Sequence, residues 1–188
     1  MSREGCLAAA IENIMVTQAV AQLEEVFREH QACVLKAAYR ITGSMADAED
    51  VSQTVFLRLA GGAVDRGRIS NLQSYLHRSA VNAALDLIRS RGHRDVVPVE
   101  TADELQSDAG LSPERALSSL EIKNWLRREL ATLNPRTAEM FALRYFEGLD
   151  NPEIARTMNT SQAVVAVTLH RARARLKKGL RGFMRGAS

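Results

Sequence analysis

Cysteine is scarce: Cys6 and Cys33 are the only two in the chain. They lack a CxxC spacing, and no nearby His pair completes a zinc set, although His30 lies three residues before Cys33. That argues against a structural metal or a disulfide and for a reducing compartment, the cytoplasm. Proline occurs only at Pro98, Pro113, Pro135 and Pro152, and aromatic residues make up 5% of the chain. With few breakers, and with Ala, Leu, Arg and Glu dominant, the composition favours helices. No apolar run reaches the roughly eighteen residues of a membrane span, so membrane insertion is not expected. The opening MSREGCLAAAIENIMV has one early Arg and a short apolar run broken by Glu12 and Asn13, which makes a poor signal peptide. His30, His77, His93 and His170 are scattered, and neither a nucleophile–base pair, a metal-ligand spacing nor a phosphate-cradling Gly loop is evident. An enzyme is therefore not expected, and neither is a cofactor or a metal.

Acidic residues also run out. None follows Glu153, whereas Arg156, Arg171, Arg173, Arg175, Lys177, Lys178, Arg181 and Arg185 do. A second basic cluster comprises Arg89, Arg91 and Arg94, with His93 beside it. Between the clusters, Asp95, Glu100, Asp103, Glu104, Asp108 and Glu114 have no basic residue among them. The net charge is only +3, yet its blockwise segregation suggests two contacts with a polyanion, where evenly solvated charge would be mixed.

The most informative stretch is 149–180, LDNPEIARTMNTSQAVVAVTLHRARARLKKGL. Asp150 and Asn151 are placed to cap a short helix, Pro152 suits its first turn and Glu153 supplies early negative charge. Asn159-Thr160-Ser161 breaks the run, with Ser161 placed to cap a second helix. Val165, Leu169, Ala172 and Leu176 repeat at four, three and four residues, one apolar stripe, and the cations from Arg171 to Lys178 project around the rest. This is the pattern of a helix-turn-helix whose second helix enters the DNA major groove. Taken alone, it also fits a helical hairpin with a solvated basic face.

The stretch from Asp95 to Pro113 lacks helical periodicity and carries Pro98, Gly110 and Pro113, so it reads as a linker between two small helical units. The expected division is a weakly specified helical extension over 1–21, a first unit over 22–95, an acidic linker over 96–115, a second unit over 116–182 with the helix-turn-helix at 150–178, and a tail over 183–188. In the first unit, Leu23, Phe27, Val34, Ala38 and Ile41 mark a helix that Gly43 ends. Ser44 with Asp47 makes a capping-box-like start, and Val51, Val55 and Leu59 recur every four residues before Gly61-Gly62. A third helix near Asn71 carries Leu72, Leu76, Ala80, Ala83 and Leu87 into the Arg cluster. In the second unit, one helix runs past Trp125 to Leu130 and another carries Ala138, Phe141, Ala142 and Tyr145 up to Gly148. Trp125 and Phe141 lie on apolar stripes and are expected as core anchors rather than base-stacking groups.

Three segments together, GSMADAEDVSQTVFLRL (43–59), LQSYLHRSAVNAALDLIRSRGHR (72–94) and LNPRTAEMFALRYFEGLDNPEIARTMNTSQAVVAVTLHRARARL (133–176), go beyond a generic helix-turn-helix. Their order and spacing resemble a bacterial sigma factor of the sigma-70 family, in the extracytoplasmic-function class that has only regions 2 and 4. The resemblance covers about Val26 to Leu180. It implies an all-α protein of two small domains joined by a flexible acidic linker. Such a protein binds core RNA polymerase through the clamp coiled coil and the flap, directs it to promoters and helps to melt the minus-ten region. For polymerase binding it implies Asp47, Glu49, Asp50, Gln53 and Phe56. For the minus-ten element it implies Asn82, which helps to hold a flipped base, with loop residues Asp65, Arg68 and Asn71 completing the pocket. Arg89, Arg91 and Arg94 would sit on phosphates. For the minus-thirty-five duplex it implies Ser161, Gln162, Thr168, Arg171, Arg173, Arg175 and Lys178. Promoter DNA, duplex and melted, is then the partner, and an anti-sigma protein a further candidate. Without the resemblance, Asn82 reads as a mid-helix Asn satisfied by water or a helix neighbour, and acids at the start of 45–60 need no partner.

The chain departs from the family at the front of its recognition helix. Two cations usual there are replaced by Ala166 and Thr168, so base readout would rest on Gln162, Thr168 and apolar contacts to thymine methyls. Val164, Ala166 and Val167, if exposed, form an apolar patch that also suits a regulatory protein. The Trp usual at the start of the third region 2 helix is Tyr75. The competing reading is a stand-alone helix-turn-helix regulator, which predicts a stable dimer and tight duplex binding without polymerase.

Overall fold

The computed structural model describes residues 3–61, 69, 71–91 and 113–186, with side chains left undescribed at 3–16, 18–19, 113–118 and 186. Within them every element is an α-helix: α1 (Arg3–Thr42), α2 (Met45–Ala60), α3 (Leu72–Arg91), α4 (Pro113–Thr132), α5 (Pro135–Tyr145), α6 (Asn151–Thr157) and α7 (Gln162–Gly186). Among the described residues no helix is long and apolar enough to cross a membrane.

Helix α1 runs unbroken across the expected boundary at 21/22. No Gly or Pro lies between Leu7 and Thr42 to stop it. It ends at Gly43, whose φ of +69° suits a residue without a Cβ. Ser44 then caps α2, its hydroxyl accepting from the Asp47 amide at 3.3 Å. Val34, Ala38 and Ile41 of α1 meet Val51, Val55 and Leu59 of α2 and Leu76, Ala80 and Val81 of α3 in one buried core. Phe27 packs edge-on against Phe56 at 4.8 Å. Asn71 caps α3, accepting from the Ser74 amide at 2.9 Å.

Helix α4 begins at Pro113, so residues 113–115 of the expected linker are helical, with Pro in the first turn where its missing N–H costs nothing. Trp125 is buried on α4 and stacks on Phe183 of α7 at 6.1 Å. Phe141 is likewise buried on α5, so both aromatics are core anchors. Gly148, at φ +73°, closes the turn after α5. The capping box at α6 forms in both directions: the Glu153 amide donates to Asp150 Oδ1 and the Asp150 amide to Glu153 Oε2, each at 2.7 Å. Asn159, at φ +48°, makes the turn into α7, and the Val164 amide donates to Ser161 Oγ at 3.3 Å. Val165, Leu169, Ala172 and Leu176 all face inward, into the buried core that also holds Ile154, Ala155 and Met158.

The two units pack on each other through α3, which contacts both α4 and α5. Arg127 of α4 reaches the carbonyl of Ile41 at 3.2 Å. This contact is polar and built around two carboxylates, Glu139 and Glu147, described next.

Candidate nucleic-acid interface

Helix α7 presents two faces. Its apolar stripe is buried, and from that register the rest must point out. Arg171, Arg173, Lys177 and Lys178 are exposed, as are Ser161 and Gln162 at the front, while Thr168 is half-buried. Arg175 is exposed but donates to Thr132 Oγ1 at 3.0 Å, which ties it to the end of α4. The front also carries the apolar residues singled out in the sequence: Val164 and Val167 are 46% and 50% exposed, and Ala163 and Ala166 are exposed beside them. The condition left open by the sequence, whether this patch is on the surface, is thereby met.

Helix α3 carries Asn82 at its middle, half-buried. The Asn82 amide is not left to water: its Nδ2 donates to Glu139 Oε1 of α5 at 3.0 Å. Arg78, one turn earlier, donates Nε to the same oxygen at 2.6 Å and Nη1 to the Thr157 carbonyl at 3.0 Å. A second carboxylate repeats the device. Glu147 Oε2 accepts from His77 Nε2 at 2.6 Å and from Arg40 Nη1 at 3.0 Å, with its side chain 4% exposed. Burial pushes the Glu147 carboxyl up, but the hydrogen bond and charge of His77, followed by Arg40, outweigh it and hold it below its ordinary value. Arg40, His77, Arg78, Glu139 and Glu147 were invisible to motif reasoning. They belong to no local repeat, Glu147 lies in the turn after α5, and their partners lie 57 or more residues away.

The other expected minus-ten residues divide. Asn71 is exposed and acts as a helix cap. Arg89 folds back on Asp86 at 3.0 Å, with Nε and Nη2 buried and without a partner among the described residues. Arg91 pairs with Asp47. Asp65, Arg68 and Arg94 lie outside the described residues.

On α2, Glu49, Asp50 and Gln53 are exposed and share one side. Asp47 is buried and held by Arg91, and Phe56 is buried against Phe27, so neither is on that surface. Leu57, 70% exposed, flanks the three polar groups, and Met45, 39% exposed, lies at their other end. The sequence signal for Leu57 was available: it falls off the four-residue repeat of Val51, Val55 and Leu59.

The chain is similar to known proteins. Residues 26–94 match the family described as Sigma-70 region 2, and residues 123–176 the family described as Sigma-70, region 4. The chain is 30% identical over 156 residues to the ECF RNA polymerase sigma factor SigE of Mycolicibacterium smegmatis, covering 82% of this chain and 60% of that protein. It therefore spans less than two thirds of that relative. It is also 30% identical over 165 residues to the RNA polymerase sigma-E factor of Streptomyces coelicolor, covering 86% of this chain and 87% of that one. Among solved structures, CnrH, determined in complex with the cytosolic domain of CnrY, matches with a TM-score of 0.50 at 24% identity, over 90% of this chain and 96% of that one.

Proposed function

The chain belongs to the sigma-70 family of RNA polymerase sigma factors, in the ECF class, and directs RNA polymerase to promoters; from that premise we propose how its surfaces divide the task. The exposed side of α2, with Glu49, Asp50, Gln53 and Leu57, docks on the clamp coiled coil of core polymerase, and the second unit lies on the flap. Asn82 holds a base flipped from the melted minus-ten strand. Its amide offers a donor and an acceptor to a base edge, the match that repays the unstacking. Arg89, Arg91 and Arg94 hold phosphates around it. The α7 stripe of Arg171, Arg173, Arg175 and Lys178 straddles the minus-thirty-five duplex. The chain makes no covalent chemistry, works in the cytoplasm beside core polymerase, and tethers its two readers through the stretch that precedes α4 at Pro113.

The observation that carries this reading is the pairing, in one chain, of a polar face around Asn82 on α3 with an exposed basic face on α7. For Asn82 to meet a base, Glu139 must release it, so the units separate on polymerase. A protein partner that keeps them together would act as an anti-sigma factor.

Reconstitution tests the reading. Purified chain added to bacterial core polymerase and a genomic DNA pool should generate new, mapped transcript starts. Absence of polymerase binding and of new starts would refute it, and a stable dimer that binds duplex DNA tightly without polymerase would favour a stand-alone regulator. Asn82→Ala should weaken promoter opening by about 1–3 kcal/mol, the worth of a paired base contact, with core binding intact. Equal loss of both would remove its base-holding role.

A further inference from the structure

The front of α7 is apolar, bare and bordered by cations. From Asn159 to His170 there is no lysine, arginine, aspartate or glutamate. Val167 lies two residues from both Val165 and Leu169, about 200° round the helix from each. Since Val165 and Leu169 are buried, Val167 points directly away from the core. Val164, Ala163 and Ala166 extend the same bare surface. Immediately beyond it Arg171, Arg173, Lys177 and Lys178 are exposed, and α7 contains no acidic residue. An apolar patch bordered on its C-terminal side by cations alone is complementary to a polyanion with apolar features in its groove.

We infer that this front reads thymine methyl groups, so that the upstream element this chain selects is rich in A·T pairs and specified by thymines under Val164 and Val167. The inference rests on α7 entering the promoter major groove. There, guanine presents O6 and N7 acceptors that call for Arg or Lys, and cytosine an N4 donor that calls for Asp or Glu. The front has none of these, and burying either base edge against valine leaves a polar group without a partner. Thymine presents its C5-methyl to the same space. Gln162, exposed in the first turn, supplies an amide of the kind that pairs with adenine through N6 and N7.

The test uses holoenzyme assembled from the full chain and bacterial core polymerase. A promoter that this holoenzyme opens is given a randomised upstream duplex, and the bound sequences are recovered. The expected element is A·T-rich with fixed thymines. Replacing a fixed thymidine by deoxyuridine, which removes only the methyl, should weaken binding about fourfold per methyl, the effect of one buried CH2 group. Val167→Ala should remove that sensitivity at one position. A G·C-centred element, indifference to deoxyuridine, or a Val167→Ala holoenzyme with unchanged sequence preference and unchanged deoxyuridine sensitivity would overturn the inference while leaving the sigma reading intact. Absence of starts on any DNA would overturn both.

Discussion

Glu139 joins Arg78 and Asn82 of α3 to α5 through one oxygen, with its own side chain 9% exposed. Removing the carboxylate leaves two donors facing a partner that is gone. Glu139→Ala should therefore lower stability by about 1–3 kcal/mol, measured by denaturant unfolding, yet leave promoter opening by the holoenzyme undiminished, because the same change frees Asn82. A parallel fall in opening would mean that Glu139 serves the open complex too. Gly43 is a second sensitive position. Its φ is +69°, and a Cβ there would lie 2.0 Å from Arg127 Nη2. Gly43→Ala should cost about 1–2 kcal/mol in left-handed strain alone, and more because Arg127 must move; thermal unfolding would show the loss. Gly43 as a helix stop was legible in the sequence. Arg127 packed over it was not, because the two are 84 residues apart and no periodicity links them.

Helices were the readable level. The four-three-four spacing of Val165, Leu169, Ala172 and Leu176 identified the buried side of α7, and Asp150 with Glu153 identified its partner helix, because both signals are local and period-driven. The length of α1 was less legible, since an Ala-rich start without a strong apolar stripe says little about where a helix begins. On α7 the proposed roles divide into positions that hold and positions that select. Arg171→Ala should weaken promoter binding about equally on all sequences and reduce the slope of log affinity against log salt by about one. A changed sequence preference would reassign Arg171 to base reading.

At the scale of the whole molecule the contact between units is electrostatic, and so it titrates. The Glu147 carboxyl is held below its ordinary value of 4.5. A depressed carboxylate adds stability that is present above the unfolded value and is lost as pH falls through the folded one. Wild type should therefore exceed Glu147→Gln in unfolding midpoint near neutrality, and the two should converge as pH falls below 4.5 and on through the depressed folded value. A difference that persists in acid would point to packing instead. Charge blocks along the sequence suggested two polyanion contacts. They could not announce that the polar face of α3 would be occupied by the other unit, since that depends on which helices meet.

The pair between Arg91 and Asp47 joins the last turn of α3 to the first turn of α2, and under the proposed roles it joins a phosphate contact to the polymerase-facing helix. A guanidinium drawn to a phosphate leaves that carboxylate in want of a new cation. Linkage then fixes the outcome: through this pair, whatever factor polymerase applies to the chain's affinity for promoter DNA, promoter DNA must apply to its affinity for polymerase.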